Sequence, residues 1–92
     1  MSFTYDSTKD RRNIAKHGMS LGDAINFDIQ GALTRIDHRI DYGETRYESM
    51  NYLNNRLYIL IWTVRDGNIR VISLRKANKR ERKRYEEKKK HH

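Results

Sequence analysis

The sequence predicts a small α+β domain: a twisted antiparallel sheet with two helices ahead of it and one basic helix behind it. Three observations carry this. Leu57-Tyr58-Ile59-Leu60-Ile61-Trp62-Thr63-Val64 is apolar on both faces, as a central strand covered on both sides must be. Asp66-Gly67-Asn68 is a hairpin signal, and the β-branched, alternating stretch 69–75 returns antiparallel. After Arg75-Lys76-Ala77-Asn78 every branched residue disappears and a helix-forming charge run begins.

The remaining elements follow in order. Phe3-Thr4-Tyr5 alternates and is short, which predicts an edge strand. Asp6 has the character of an N-cap for a helix over 7–17, with Ile14 and Ala15 among its few apolar positions. Gly18 after Lys16-His17 stops that helix, since glycine reaches the left-handed conformation and the cations suit the negative end of the dipole. Ser20-Leu21-Gly22-Asp23 has capping-box spacing, with Asp for the usual Glu or Gln. The second helix that follows should turn Leu21, Ala24, Ile25 and Phe27 inward. Residues 31–35 predict a short strand, and 37–43 a polar, mobile loop. Residues 44–53 alternate, with Arg46, Glu48, Met50 and Tyr52 on one side and Tyr47, Ser49, Asn51 and Leu53 on the other. Asn54-Asn55 is a turn. The helix over 79–89 has almost no apolar residue besides Tyr85. It must dock through Ala77 and Tyr85, dock on a partner, or fray.

Composition bounds the function. The 92 residues suit one domain over 1–90, with His91-His92 set aside as a tag remnant. There is no cysteine, so disulfides and thiolate metal sites are excluded. Among the histidines at 17, 38, 91 and 92 only the terminal pair has metal-ligand spacing, so no metal and no cofactor is expected. No apolar run reaches the roughly 18 residues of a membrane span, and the N-terminus lacks a secretory pattern, so the expected place is the cytoplasm, away from membranes. The net charge of +8 is uneven. Residues 1–74 hold 10 Lys/Arg against 9 Asp/Glu, and residues 75–92 hold 10 against 3. The tail carries the field and should attract polyanions in a salt-dependent way.

Specific residues narrow this further. Phe3-x-Tyr5-Asp6-x-x-Lys9 with Asn13-Ile14-x-Lys16-His17-Gly18-Met19-Ser20 resembles the opening of the BrnT-type toxins. Gly43-Glu44-x-Arg46 resembles their middle, and Ile69 to Ala77 with Glu81-Arg82 and Tyr85 their end. Tyr5 stands where that family often has tryptophan, and Leu74 where it often has alanine. The resemblance implies a RelE-like ribonuclease fold and the toxin half of a type II toxin–antitoxin pair. It implies an endoribonuclease that needs no metal and blocks translation by cutting RNA. The RNA 2′-hydroxyl would attack its own phosphate and a 5′-hydroxyl would leave. It also implies a ribbon-helix-helix antitoxin of the BrnA kind, a heterotetramer with it, and contact with DNA only through it.

Such chemistry needs a base, an acid and cations for the phosphate, and the last is usually the largest contribution. Arginine suits it, because guanidinium matches phosphate bidentately and keeps its proton. Arg65 and Arg75 end neighbouring strands at opposite ends of a hairpin and need not share one phosphate. Glu44 and Arg46 share one face, as a base or orienting carboxylate and a phosphate clamp, or as a surface ion pair. His17 is either an acid–base group or a helix C-terminal cap. Tyr85 either stacks a base, donates a proton, or docks its helix. Lys9, Lys16, Lys76, Lys79, Arg80 and Arg82 are candidate RNA-backbone contacts. Two non-catalytic readings compete: a basic nucleic-acid-binding module, and a partner-binding subunit whose last helix folds on its antitoxin.

Overall fold

The doubly apolar stretch becomes the middle of a five-stranded sheet. The structure, a computed structural model, describes residues 2–90; Met1 and the tag-remnant candidate His91-His92 lie outside the described residues. The strands are β1 (Phe3–Thr4), β2 (Leu33–Ile36), β3 (Tyr47–Leu53), β4 (Arg56–Arg65) and β5 (Asn68–Lys76), in the order β1-β5-β4-β3-β2. Two α-helices, α1 (Ser7–His17) and α2 (Lys79–Lys90), and a 3₁₀ helix (Leu21–Asn26) complete the chain. Leu60 on β4 packs with Leu21, Ala24, Phe27, Val71 and Leu74 on one face. Leu57, Ile59 and Ile61 pack with Met50, Ala77 and Tyr85 on the other. Both hairpins turn through left-handed pairs, Asn54-Asn55 and Asp66-Gly67, whose twist matches that of the strands they join.

Four expectations are corrected. The sheet is mixed, because β1 runs parallel to β5. Two residues carry no alternation that could set a direction; the Ile69 amide donating to the Ser2 carbonyl fixes it. The second helix is a 3₁₀ helix, whose three-residue turn puts Leu21, Ala24 and Phe27 in one line and leaves Ile25 75% exposed. Ser20 caps it as expected, its hydroxyl accepting from the Gly22 amide at 3.1 Å, but the Asp23 half of the box is replaced by Asp10 of α1, whose carboxylate accepts from the Leu21 amide at 2.6 Å and the Ser20 hydroxyl at 3.0 Å. Finally, β2 and β3 begin at Leu33 and Tyr47, later than alternation alone suggests, so Glu44 and Arg46 lie on the approach to β3.

Asn13 is the buried residue of α1. β1 covers the outer edge of β5 at Ile69 and Arg70. Further along, the Asn13 side-chain amide takes over, accepting from the Leu74 amide at 3.2 Å and donating to the Leu74 carbonyl at 2.8 Å. It also donates to the Met19 carbonyl at 2.9 Å. One side chain thus stands in for a strand's peptide group. Leu74 itself is fully buried beneath the 3₁₀ helix, so it does not crowd Arg75.

α2 docks rather than frays. The Ala77 amide donates to the Leu57 carbonyl, and Tyr85 packs edge-on against Tyr52 with centroids 5.7 Å apart. Asn78 and Glu81 form a reciprocal capping box at its start. Its other ties to the sheet are ionic: Arg75 with Glu81, and Arg84 with Glu48.

Candidate active site

Strand pairing places Arg75 and Glu48, far apart in sequence, on one face of the sheet. Arg75 pairs across from Ile59 on β5, and Glu48 across from Ile61 on β3, so both stand on the α2 face. The loop after β2 folds back through Asp37, whose amide donates to the Arg46 carbonyl. Asp37 is buried and binds Arg39 through both carboxylate oxygens at 2.8 Å, with the Tyr42 hydroxyl donating to it as well. These bonds, Arg39 first, hold the Asp37 carboxyl at about 2. The Arg39 side chain remains 62% exposed. Its charge is felt at Arg75, as is that of Glu48. Arg75 in turn acts on His17, at the end of α1. Burial first, then Lys16 and Arg75, push the His17 pKa down, so the imidazole is neutral at neutral pH.

A second group surrounds Glu44. Its carboxylate accepts from Arg46 at 3.0 Å and from Arg65 at 3.1 Å. The Arg46 bond, with Arg65 adding to it, holds Glu44 below the ordinary carboxylate range. Arg46 is only 16% exposed and lies over the Tyr42 ring at 4.0 Å.

The chain matches, over residues 5–81, the family described as the ribonuclease toxin BrnT of type II toxin–antitoxin systems. The chain belongs to the BrnT family. Among solved structures it is similar to the ribonuclease toxin BrnT of Brucella abortus, known at 1.1 Å resolution. The two share 23% identity and a TM-score of 0.68 over 86% of this chain and 99% of that one. No curated relative matches. The chain is therefore a ribonuclease toxin with RNA as substrate and an antitoxin as partner.

Against that family frame, the expected site residues separate. His17 and Arg75 share one neighbourhood. Arg75 is 24% exposed and bound end-on to Glu81 at 2.7 and 2.8 Å, so it is a joint between β5 and α2 as well as a cation at a strand end. Arg46 and Glu44 form the second group with Arg65. Arg65 lies six residues along β4 from Ile59, the partner of Arg75, or roughly 20 Å away. Tyr85 is a correction: 7% exposed among Met50, Leu57 and Ile59, it docks α2. Lys76, Lys79, Arg80 and Arg82 are exposed about the start of α2, Lys16 is exposed on α1, and Lys9 is half-buried. Sequence reasoning missed Arg39, Asp37 and Glu48. Glu48 is buried between Arg35 and Arg84, and its only signal was a carboxylate at an inward position of an alternating strand.

Proposed function

We propose that this BrnT-family toxin cleaves RNA on the α2 face of the sheet, with His17, Arg75 and Arg39 as its working groups, in a compact RelE-like version of the fold. The observation that carries this is geometric: His17 lines a cleft with Ser73, Ser73 and Arg75 share one face of β5, and the buried Glu48 carboxylate stands on that same face of the sheet. His17 takes the proton of the 2′-hydroxyl as that oxygen attacks the adjacent phosphorus. The bond to the 5′-oxygen breaks, a 2′,3′-cyclic phosphate forms, and the 5′-oxygen leaves as a hydroxyl by taking a proton from water, while His17 keeps the 2′ proton until solvent removes it. Arg75 and Arg39 meet the charge that builds on the phosphoryl oxygens, which calls for no metal. Glu44, held ionised by Arg46 and Arg65, suits an orienting carboxylate better than a base. Arg46 then acts as a clamp on a flanking phosphate. The antitoxin is read as a ribbon-helix-helix protein of the BrnA kind in a heterotetramer, on the strength of the whole-chain resemblance.

Single-turnover cleavage of a labelled RNA in EDTA tests the reading, with melting temperature measured on the same samples. Arg75→Ala and Arg46→Ala should each slow cleavage by about 10²–10³. Lysine should rescue poorly, since it keeps the charge and loses the planar fork. Wild-type rates in the alanine variants would remove these arginines from the site. A rate loss matched by a collapse in melting would make Arg75 purely the joint to Glu81.

A further inference from the structure

The cations of this protein fall into two kinds. Arg35, Arg39, Arg46, Arg65, Arg75 and Arg84 each hold a carboxylate. Much of their field is spent inside the protein before any ligand arrives. Lys9, Arg12 and Lys16 make no ion pair among the described residues. All three, with Asn13 and His17, lie on one stripe of α1 and line a cleft of about 280 Å³ against Ile72 and Ser73 of β5. The cleft has a fixed floor. Asn13 is buried and fully engaged with Leu74 and Met19, so α1 cannot slide along β5. Ile72 and Ser73 together face Ile61 where the register between β4 and β5 shifts, which puts one apolar and one hydroxyl side chain in that floor. His17, at one end of the cleft, feels Arg75.

We propose that the seam between α1 and β5 is the track along which single-stranded RNA reaches the cleavage face, its phosphates meeting Lys9, Arg12 and Lys16 in turn. These residues are about 4.5 Å and about 6 Å apart along the helix axis, so each meets a different part of an extended backbone. A shallow cleft open along its length suits a strand better than an enclosed small molecule. Ile72 offers an apolar contact for a sugar or base without reading sequence. The proposal rests on the reading of His17 and Arg75 as the cleavage end, and it assigns Arg12 a role alongside its two neighbours.

Binding separates the track from the chemistry. The probe is a single-stranded RNA methylated at every 2′-oxygen, which cannot be cut by its own hydroxyl, measured by fluorescence anisotropy across a salt series. The triple variant Lys9→Ala, Arg12→Ala, Lys16→Ala is compared with Lys83→Ala, Lys88→Ala, Lys90→Ala, which removes equal charge from the exposed side of α2. The α1 variant should flatten the slope of log K against log salt by up to roughly two, and the α2 variant by less than half as much. On cleavable RNA the α1 variant should raise KM by a larger factor than it lowers kcat. An unchanged slope overturns the proposal, as does an equal loss in both variants, which would mean diffuse attraction. Loss of antitoxin binding with RNA binding intact would assign the seam to the antitoxin instead. If the slope changes as expected while no form of the protein cleaves RNA, the track stands and the catalytic assignment falls.

Discussion

The two faces of the sheet are held by different physics. On one, Leu21, Ala24, Phe27, Leu60, Val71 and Leu74 exclude water, and Asn13 adds neutral amide bonds at the edge. On the other, α2 contributes one buried aromatic, and its remaining ties are the Arg75–Glu81 and Arg84–Glu48 ion pairs. The first kind of contact is indifferent to pH and salt, and the second is not. The face that carries the proposed chemistry is therefore also the face whose attachment responds to its surroundings. A toxin built this way keeps a rigid α1–β5 side while its basic helix remains the more easily loosened part.

Three measurements break or sharpen that contrast. The largest effect is expected from Asn13→Ala. It strands the Leu74 amide and carbonyl in the interior and should cost about 2–3 kcal/mol. That corresponds to a fall of about 10 °C or more in the melting midpoint of a chain this size, read by circular dichroism. A loss under 2 °C would mean that packing, and not the amide, fixes α1.

Acid should separate the faces next. Asp37 is lowered from 3.8 to about 2, mainly by Arg39, and Glu81 is lowered, mainly by Arg75. A carboxylate whose folded pKa is depressed stabilises the fold above its unfolded pKa and ceases to do so as pH falls through the folded value. For Asp37 that window runs from about pH 4 to about pH 2, and the contribution is of order 2 kcal/mol at most. Hydrogen exchange should show α2 and the 37–42 loop losing protection across this window while Val71 and Leu74 stay protected. Simultaneous loss everywhere would show that the two faces unfold as one.

The smallest effect is expected from Tyr85→Phe. It keeps the ring that packs on Tyr52 and removes the hydroxyl. Cleavage should stay within about twofold of wild type in single-turnover assays. A hundredfold loss would return Tyr85 to the chemistry.

Much of the fold was legible because period and turn chemistry speak locally. The bounds of α1 and the β4–β5 hairpin followed from patterns a few residues long, and the docking of α2 through Ala77 and Tyr85 is one of the three outcomes its pattern allowed. The parallel pairing of β1 was not, since it depends on a partner more than sixty residues away. The site divided in the same manner. Arg75 and His17 stood out by position, but that Glu48 stands on the same face of the sheet as Arg75 is a product of strand register. Nor could a sequence show that six arginines would each find a carboxylate, because pairing across strands depends on register. Asn13 was visible as part of a motif, but its bonds to Leu74 join residues 61 positions apart and leave no local signal.

That amide also gives the sheet a polarity. Along the outer edge of β5, Ile69 and Arg70 are paired by β1 and Leu74 by Asn13. At the opposite border β2 is the last strand, with Thr34, Arg35 and Ile36 exposed. Backbone bonding capacity is engaged at one margin and kept at the other. The sheet is therefore asymmetric at its margins: β2 keeps an open edge, while Ile69, Arg70 and Leu74 on the β5 margin already have partners.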